Sequence, residues 1–433
     1  MTPARVIRTY LVLAGLYTLS ASLIWGVNTL FLLDAGLDIA EVFVANAAFT
    51  AGMVVFEIPT GVVADTLGRR TSFLLSIATL AVATVLYVWA GLAEAGVGAF
   101  VGASVLLGLG YTFFSGAMEA WLVDALRATG YEARLDRVFS QGQMVTAAAM
   151  LTGTLAGGVL GSVDLALPFV LRAALLVPVF GIAWALMHDL GFTGRPLTRG
   201  TVLAEVRGVG AASARYGLGH SEVRVLLLVP FVQYGFFIWA WYAWQPYLLD
   251  LLDRGDVWIA GVVSALLSLA TMGGNALVGR ATRRFRLRTS ILLWAAGAQT
   301  AAAVLVGLTS SFGVALLALA AHSAAAGVFT PVKQAYLHDL IPGEQRATLV
   351  SFDSLVGNLG SIGGQVGLGY VSRERGIADG YVLGGAATVL VLPILAVLRR
   401  RGGPADRTGE CPEAPVAGQG LPATSTIDAT PRS

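Results

Sequence analysis

The sequence predicts an all-α polytopic membrane protein: twelve transmembrane helices arranged as two six-helix bundles. Three observations lead there. The mean hydropathy is +0.74, with 56% hydrophobic and 12% charged residues, against about 25% charged in soluble domains. Apolar runs recur along the chain, each close to the ~20 residues that cross a ~30 Å hydrocarbon layer. The second half also echoes the first, because Arg70-Thr71-Ser72 aligns with Arg288-Thr289-Ser290 and sets Gly61 opposite Gly279 and Asp65 opposite Arg283. Twelve spans take roughly 250 residues, which leaves no room for a large soluble domain in a chain of 433.

The first span is expected over residues 10–33, ending at Asp34-Ala35-Gly36. Arg5 and Arg8 precede it as in a signal peptide, but the apolar run is too long and lacks a small-residue cleavage site, so it should be retained. Spans follow at 39–63, 71–92, 100–126, 137–160 and 165–187, and residues 1–187 form the N-terminal bundle. Residues 188–220 are the longest internal connection, a cytoplasmic central loop. Within it Val202, Val206 and Val209 share one helical face opposite Arg207 and Arg215, so a short interfacial helix and an irregular polar linker fit equally well. The C-terminal bundle, residues 221–398, carries spans at 223–249, 257–278, 289–308, 312–337, 347–371 and 381–398. Residues 399–433 are a cytoplasmic tail, and their Pro, Gly, Thr and Ala content from 402 onward predicts disorder.

Composition excludes several functions. The single cysteine, Cys411, forbids an intramolecular disulfide and a cysteine metal site. His188, His220, His322 and His338 show no His-x-x-x-His spacing, so no metal is expected. A net charge of +2 predicts no nucleic-acid partner. No Gly-x-x-x-x-Gly-Lys-Ser/Thr loop is present for a nucleotide, and no cofactor is expected.

Arginine sets the orientation. Arg5, Arg8, Arg69, Arg70, Arg127, Arg134, Arg137, Arg195, Arg199, Arg207, Arg215, Arg224, the five from 280 to 288, Arg346 and those of the tail fall on one side. Arg254, Arg373 and Arg375 fall on the other. Short loops rich in Lys and Arg stay in the cytoplasm. Both termini are therefore expected inside, in the cytoplasmic membrane.

The densest cluster of glycine and charge is Gly61-Val62-Val63-Ala64-Asp65-Thr66-Leu67-Gly68-Arg69-Arg70, between the second and third spans. Its Gly-x-x-x-Asp-x-x-Gly-Arg-Arg spacing resembles the loop signature of the major facilitator superfamily. Phe56-Glu57-Ile58-Pro59-Thr60 just before it is similar to the bacterial, drug-exporter-like branch, although Thr66 stands where the family often has Arg. The resemblance implies a secondary transporter, not an enzyme, in which two six-helix bundles rock about a midplane site. It implies Asp65 as a tie between the bundles in the outward-facing state, with Gly61, Gly68, Arg69 and Arg70 in the same latch and Asp124 pairing with Arg69 or Arg70. It also implies that the fourth span lines the cavity. The expected partners are a small-molecule substrate, protons and the bilayer, and the expected state is a monomer. Proton-coupled efflux is the first reading, and uptake of a small nutrient is the alternative. An intramembrane enzyme is the rival class, but the string nearest to its Gly-x-Ser-Gly, Phe113-Phe114-Ser115-Gly116, lacks the first glycine.

Charges inside a span cost about 2.5–3.5 kcal/mol each on insertion scales, so each needs a reason. Glu57, just before Pro59, is either a protonatable site at a flexible point or a packing acid. Glu119, deeper than Asp124 in the fourth span, is the preferred coupling acid. Arg172 and Lys333 are expected to snorkel to the interface. In the seventh span Tyr234, Trp241 and Gln245, with Ile238 between, have the spacing of one helical stripe. With Trp25, Asn28 and His322 they are candidates for the substrate cavity, against the alternative of lipid-facing aromatics. Gly153 to Gly161 resembles the Gly-x-x-x-Gly-Pro antiporter motif with Gly158 in place of proline, and close helix packing is the other reading.

Overall fold

The computed structural model describes residues 1–132, 135–192, 194, 221–253, 256–340 and 346–408. The candidate interfacial helix near 202–209, most of the central loop, and residues 409–433 with Cys411 lie outside the described residues. Helices run in the order α1 (Pro3–Ser22), α2 (Asn28–Asp34), α3 (Ile39–Leu67), α4 (Arg69–Leu92), α5 (Gly96–Phe114), α6 (Ala117–Ala128), α7 (Leu135–Gly161) and α8 (Leu167–Leu186). The second half continues with α9 (Ser221–Leu226), α10 (Leu228–Leu252), α11 (Trp258–Arg284), α12 (Arg288–Leu308), α13 (Phe312–Leu340), α14 (Arg346–Arg375), α15 (Ile377–Ala387) and α16 (Val391–Arg401). Among the described residues ten helical stretches are long and apolar enough to cross a membrane. The α1–α2 pair and α14, whose middle is rich in Gly, Ser, Asn and Gln, complete the twelve crossings.

Two expected spans are broken. The first leaves helix after Ser22 and turns through residues 23–27 before α2 begins. Backbone freed inside a membrane must find partners within the protein, and Gln245 of α10 supplies them. Its Oε1 accepts from the Thr29 N–H at 3.1 Å and its Nε2 donates to the Trp25 carbonyl at 2.8 Å. The fourth span breaks at Ser115-Gly116, where Gly116 takes a φ of +74° that side-chain-bearing residues resist.

The N-terminal bundle has one continuous apolar core, reaching from Val6 and Leu13 through Phe31, Phe73 and Trp121 to Val179. Its centre is an aromatic knot in which Phe169 stands 4.4 Å from Phe31 and 5.5 Å from Tyr87, centroid to centroid. In the C-terminal bundle the core is split. One cluster around Ile291, Phe329 and Leu395 lies toward the chain termini, and another around Trp239, Val306 and Tyr381 lies toward the opposite, far end.

The bundles meet along the far half. A Cβ on Gly158 would sit 2.8 Å from the Gly261 Cα, so α7 and α11 pack backbone on backbone, as small residues allow. Gly153 and Gly157 of the same helix press on α1 at Leu19 and Leu23, so packing accounts for the glycine run. Phe43 of α3 stacks 5.7 Å from Trp239, and Gln365 of α14 donates to the Thr50 hydroxyl at 3.3 Å.

Candidate functional site

The inter-bundle contacts named above reach as far as Thr50 on α3, and toward the terminus end the two bundles carry different polar groups. The N-terminal bundle carries acids. Phe43, Thr50 and Glu57 are spaced by seven residues, so they share one face of α3, and the first two touch α10 and α14 of the other bundle. Glu57 therefore lies on the same side of α3, about two turns beyond Thr50. It is exposed, lies within hydrogen-bonding reach of the Ser115 hydroxyl at the break in the fourth span, and is in electrostatic reach of Tyr111. Pro59 lies inside α3, and Thr60 returns its hydroxyl to the Phe56 carbonyl at 2.8 Å. Glu119 is exposed in the first turn of α6, while Met118, Trp121 and Leu122 turn into the core, and Tyr10 of α1 feels its charge. The break brings both carboxylates near the start of one short helix, although Glu57 and Glu119 lie in different spans.

The C-terminal bundle presents amides and hydroxyls set among apolar groups such as Phe237, Phe329 and Pro331. A cavity of about 290 Å³ is lined by Gln233, Tyr234, Asn275, Gln299, Thr330 and Gln334. It shares Gln233, Tyr234, Thr330 and Gln334 with a neighbouring cavity of about 190 Å³ that also reaches Lys333 and Asp353. Lys333 does not snorkel. It is 6% exposed and its Nζ lies 2.6 Å from Asp353 Oδ2 on α14. Arg172 does not reach the interface either, because it is 7% exposed, in the core within electrostatic reach of Tyr17 and Tyr87.

The six sequence-level cavity candidates divide. Tyr234 lines the cavity. His322 is buried behind it, its Nδ1 3.1 Å from the Gln299 carbonyl oxygen. Trp241 stands 6.4 Å from Phe237, which also lines the cavity. Trp25 and Gln245 belong instead to the closed seam, where Gln245 is fully buried as the clasp of the broken first span. Asn28 is buried within the N-terminal bundle, donating to Asn46 at 3.0 Å and accepting from the Tyr87 hydroxyl at 3.2 Å.

The latch loop is ordered by a residue that sequence reading passed over. Gly68, at φ +100°, precedes α4, and Asp189 from the end of α8 accepts from the Arg70 N–H at 2.8 Å. Gly61 is exposed with open space around it. Arg69 pairs with Asp65 at 2.7 Å, one turn back on α3, and Arg70 donates to the Trp184 carbonyl and lies 4.8 Å from that ring's centroid. Among the described residues Asp124 makes no ion pair with either arginine, because nearer partners occupy both. Burial raises the Asp189 pKa, while the backbone N–H groups and charges of Arg70 and Arg69 pull it down.

The second half repeats this device. Asp406, 1% exposed, accepts from the Thr289 N–H at 2.7 Å and from its hydroxyl at 2.8 Å. Arg288 pairs with Asp339 at 2.6 Å. Residues 402–408, expected within the disordered tail, thus return to cap α12, because that helix start would otherwise bury unpaired N–H groups.

Known proteins agree with this architecture. The Major Facilitator Superfamily profile matches residues 10–298 and 259–422. The chain is 23% identical over 383 residues to the uncharacterized MFS-type transporter YxaM of Bacillus subtilis (strain 168), covering 84% of this chain and 88% of that one. Among solved structures the fold is similar to the nucleoside transporter NupG (TM-score 0.76, 11% identity, 91% of this chain and 99% of that one). It is also similar to a D-xylose-proton symporter (TM-score 0.68, 13% identity, 91% and 97%). A third likeness is to a bacterial homologue of the human lysosomal transporter Spinster in an inward-facing, unoccupied conformation (TM-score 0.64, 16% identity, 92% and 95%).

Proposed function

This chain belongs to the Major Facilitator Superfamily, and from that premise we propose that it is a proton-driven exporter of a small organic solute working by alternating access. One juxtaposition supports the reading: the N-terminal bundle exposes the carboxylates Glu57 and Glu119, and the C-terminal bundle holds a cavity lined by Gln233, Tyr234, Asn275 and Gln334. Proton and solute then bind opposite halves of one moving joint. Glu119 is the first choice for the proton and Glu57 the second, since an exposed intramembrane acid is a functional group by default. The terminus end is cytoplasmic by its arginine excess, so this is the inward-facing state, and the chain sits in the cytoplasmic membrane with both termini inside. The machinery lies within one chain, which makes the monomer the working unit. The Asp65 carboxylate pairs with Arg69 within the latch loop.

Uptake is the second reading. The amide-rich cavity favours it, as the similar structures include a nucleoside transporter and a D-xylose-proton symporter.

The test is transport in proteoliposomes under an imposed pH gradient. Glu119→Gln should exchange solute yet lose at least tenfold of its concentrating power, and Glu57→Gln should lose less. Loss in Glu57→Gln alone moves the role to α3, and full pH-driven concentration in both variants removes both acids as the proton carrier. For orientation, a cysteine at Asp253 should react with an impermeant thiol reagent outside intact cells once Cys411 is replaced, and one at Thr66 should not.

A further inference from the structure

We propose that the Lys333–Asp353 pair is the charged part of the solute site, and that it takes a small zwitterion bearing a carboxylate and an ammonium group, as an amino acid does. The inference rests on the transporter reading above and narrows its solute.

Four observations converge. The pair joins α13 to α14 at 2.6 Å, with side chains only 7% and 15% exposed. Burying two charges gains little over an apolar pair of the same shape, so packing alone gives no reason to keep it. Its position is the wall of the 190 Å³ cavity, which opens onto the larger amide-lined one through shared residues. The pair is also incomplete. Asp353 spends Oδ2 on Lys333, while its Oδ1 is buried with no hydrogen-bond partner, the kind of orphan acceptor a finished structural pair avoids. Finally, Lys333 is the only lysine among 28 Lys and Arg residues. An ammonium is a compact charge with three rotatable donors, free to hold two carboxylates in turn, whereas a guanidinium fork fixes one geometry.

Together these groups offer a cation, an unfilled anion and hydrogen-bonding walls. A solute carboxylate would join Lys333, and its ammonium would meet Asp353 Oδ1. The Tyr234 phenol, within electrostatic reach of Asp353, and the Gln334 amide would hold the remainder. Pair and ligand are each neutral overall, so binding moves no net charge into the low-dielectric interior. A solute with one charge would leave the other half of the pair unmatched.

The experiment uses the full chain, purified and in proteoliposomes. Counterflow is measured with L-alanine, L-leucine and L-glutamine as zwitterions, uridine and D-xylose as uncharged probes, and L-lactate and butylamine as singly charged ones. A zwitterion should exchange, and the Lys333→Gln/Asp353→Asn variant, which removes both charges together while keeping volume, should lose that exchange at least tenfold. Lys333→Arg, which keeps the charge, should bind at least tenfold more weakly and serves if the double variant fails to fold. Because the chain has one lysine, reductive methylation read by mass spectrometry reports Lys333 independently of transport. The exchanging zwitterion should slow its methylation at least fivefold, and uridine should not. Counterflow of an uncharged or singly charged probe, unaffected by the double variant, would overturn the proposal and leave a transporter. Protection of Lys333 by a zwitterion without counterflow of any probe would keep the site and overturn the transport reading. If no zwitterion exchanges and none protects Lys333, the proposal is overturned.

Discussion

The two bundles are built from the same repeat yet filled differently. In the N-terminal bundle the buried apolar residues form a single cluster that encloses isolated polar groups such as Asn28, Asn46 and Arg172, and the acids Glu57 and Glu119 are exposed. In the C-terminal bundle a polar layer divides the core. Gln299, His322, Thr300 and Thr388 lie between the two clusters, with the two threonine hydroxyls 2.6 Å apart and His322 Nε2 buried without a partner. A continuous core resists deformation, since packed interiors transmit strain. A divided one leaves volume and unpaired donors for a ligand. The proposed solute site lies in the half whose core is divided.

The largest effect should come from striking the continuous core. Trp121 is 1% exposed and its indole N–H donates to the His188 carbonyl at 2.8 Å. Trp121→Ala should cost about 3–5 kcal/mol, whereas Gln334→Leu on the cavity wall should stay within about 0.5 kcal/mol while altering solute transport. Thermal unfolding in detergent checks both. Equal losses would mean that the C-terminal wall is core after all, and the contrast would fall.

Much of this architecture is legible in the sequence because hydropathy and arginine placement are bulk properties of each span. The latch cluster from Gly61 to Arg70 was also visible, since glycine and charge are rare between apolar runs. What stayed hidden depends on pairing across the fold. Asp353 is an unremarkable residue in a polar helix until α13 brings Lys333 to it. Gln245 fits a helical stripe equally well facing a cavity or a broken helix, and only the turn at residues 23–27 decides. Gly116 carried a signal that could have been read, a glycine one residue after a serine in mid-span. Asp189 and Asp406 lie beyond the ends of their spans, where span counting stops.

Those two aspartates make the comparison sharper. Asp406 serves Thr289 twice, through N–H and hydroxyl, and is almost fully buried. Asp406→Ala would leave both donors unpaired inside the protein, so a loss of about 2 kcal/mol is expected, at the upper end for a helix-start cap. The same unfolding assay reads it. A loss below about 0.5 kcal/mol would show that water reaches the start of α12, and that the C-terminal bundle is open there too.

Asp189 should give the smallest effect, with a sign that pH reveals. It is half-buried, and burial outweighs the pull of the Arg70 and Arg69 backbone and charges, so its native pKa lies above the ordinary 3.8. The folded state then binds the proton more tightly than the unfolded chain. Its contribution is fully present below the unfolded value and is lost as pH climbs through the raised native one. Asparagine keeps an oxygen for the Arg70 N–H but cannot ionise. Asp189→Asn should therefore lie within about 0.5 kcal/mol of the parent, and its stability relative to the parent should rise between pH 4 and neutrality. A fall over that interval would mean that the arginine charges outweigh burial, making the first-half cap an ion pair where the second-half cap is a buried hydrogen-bonded one.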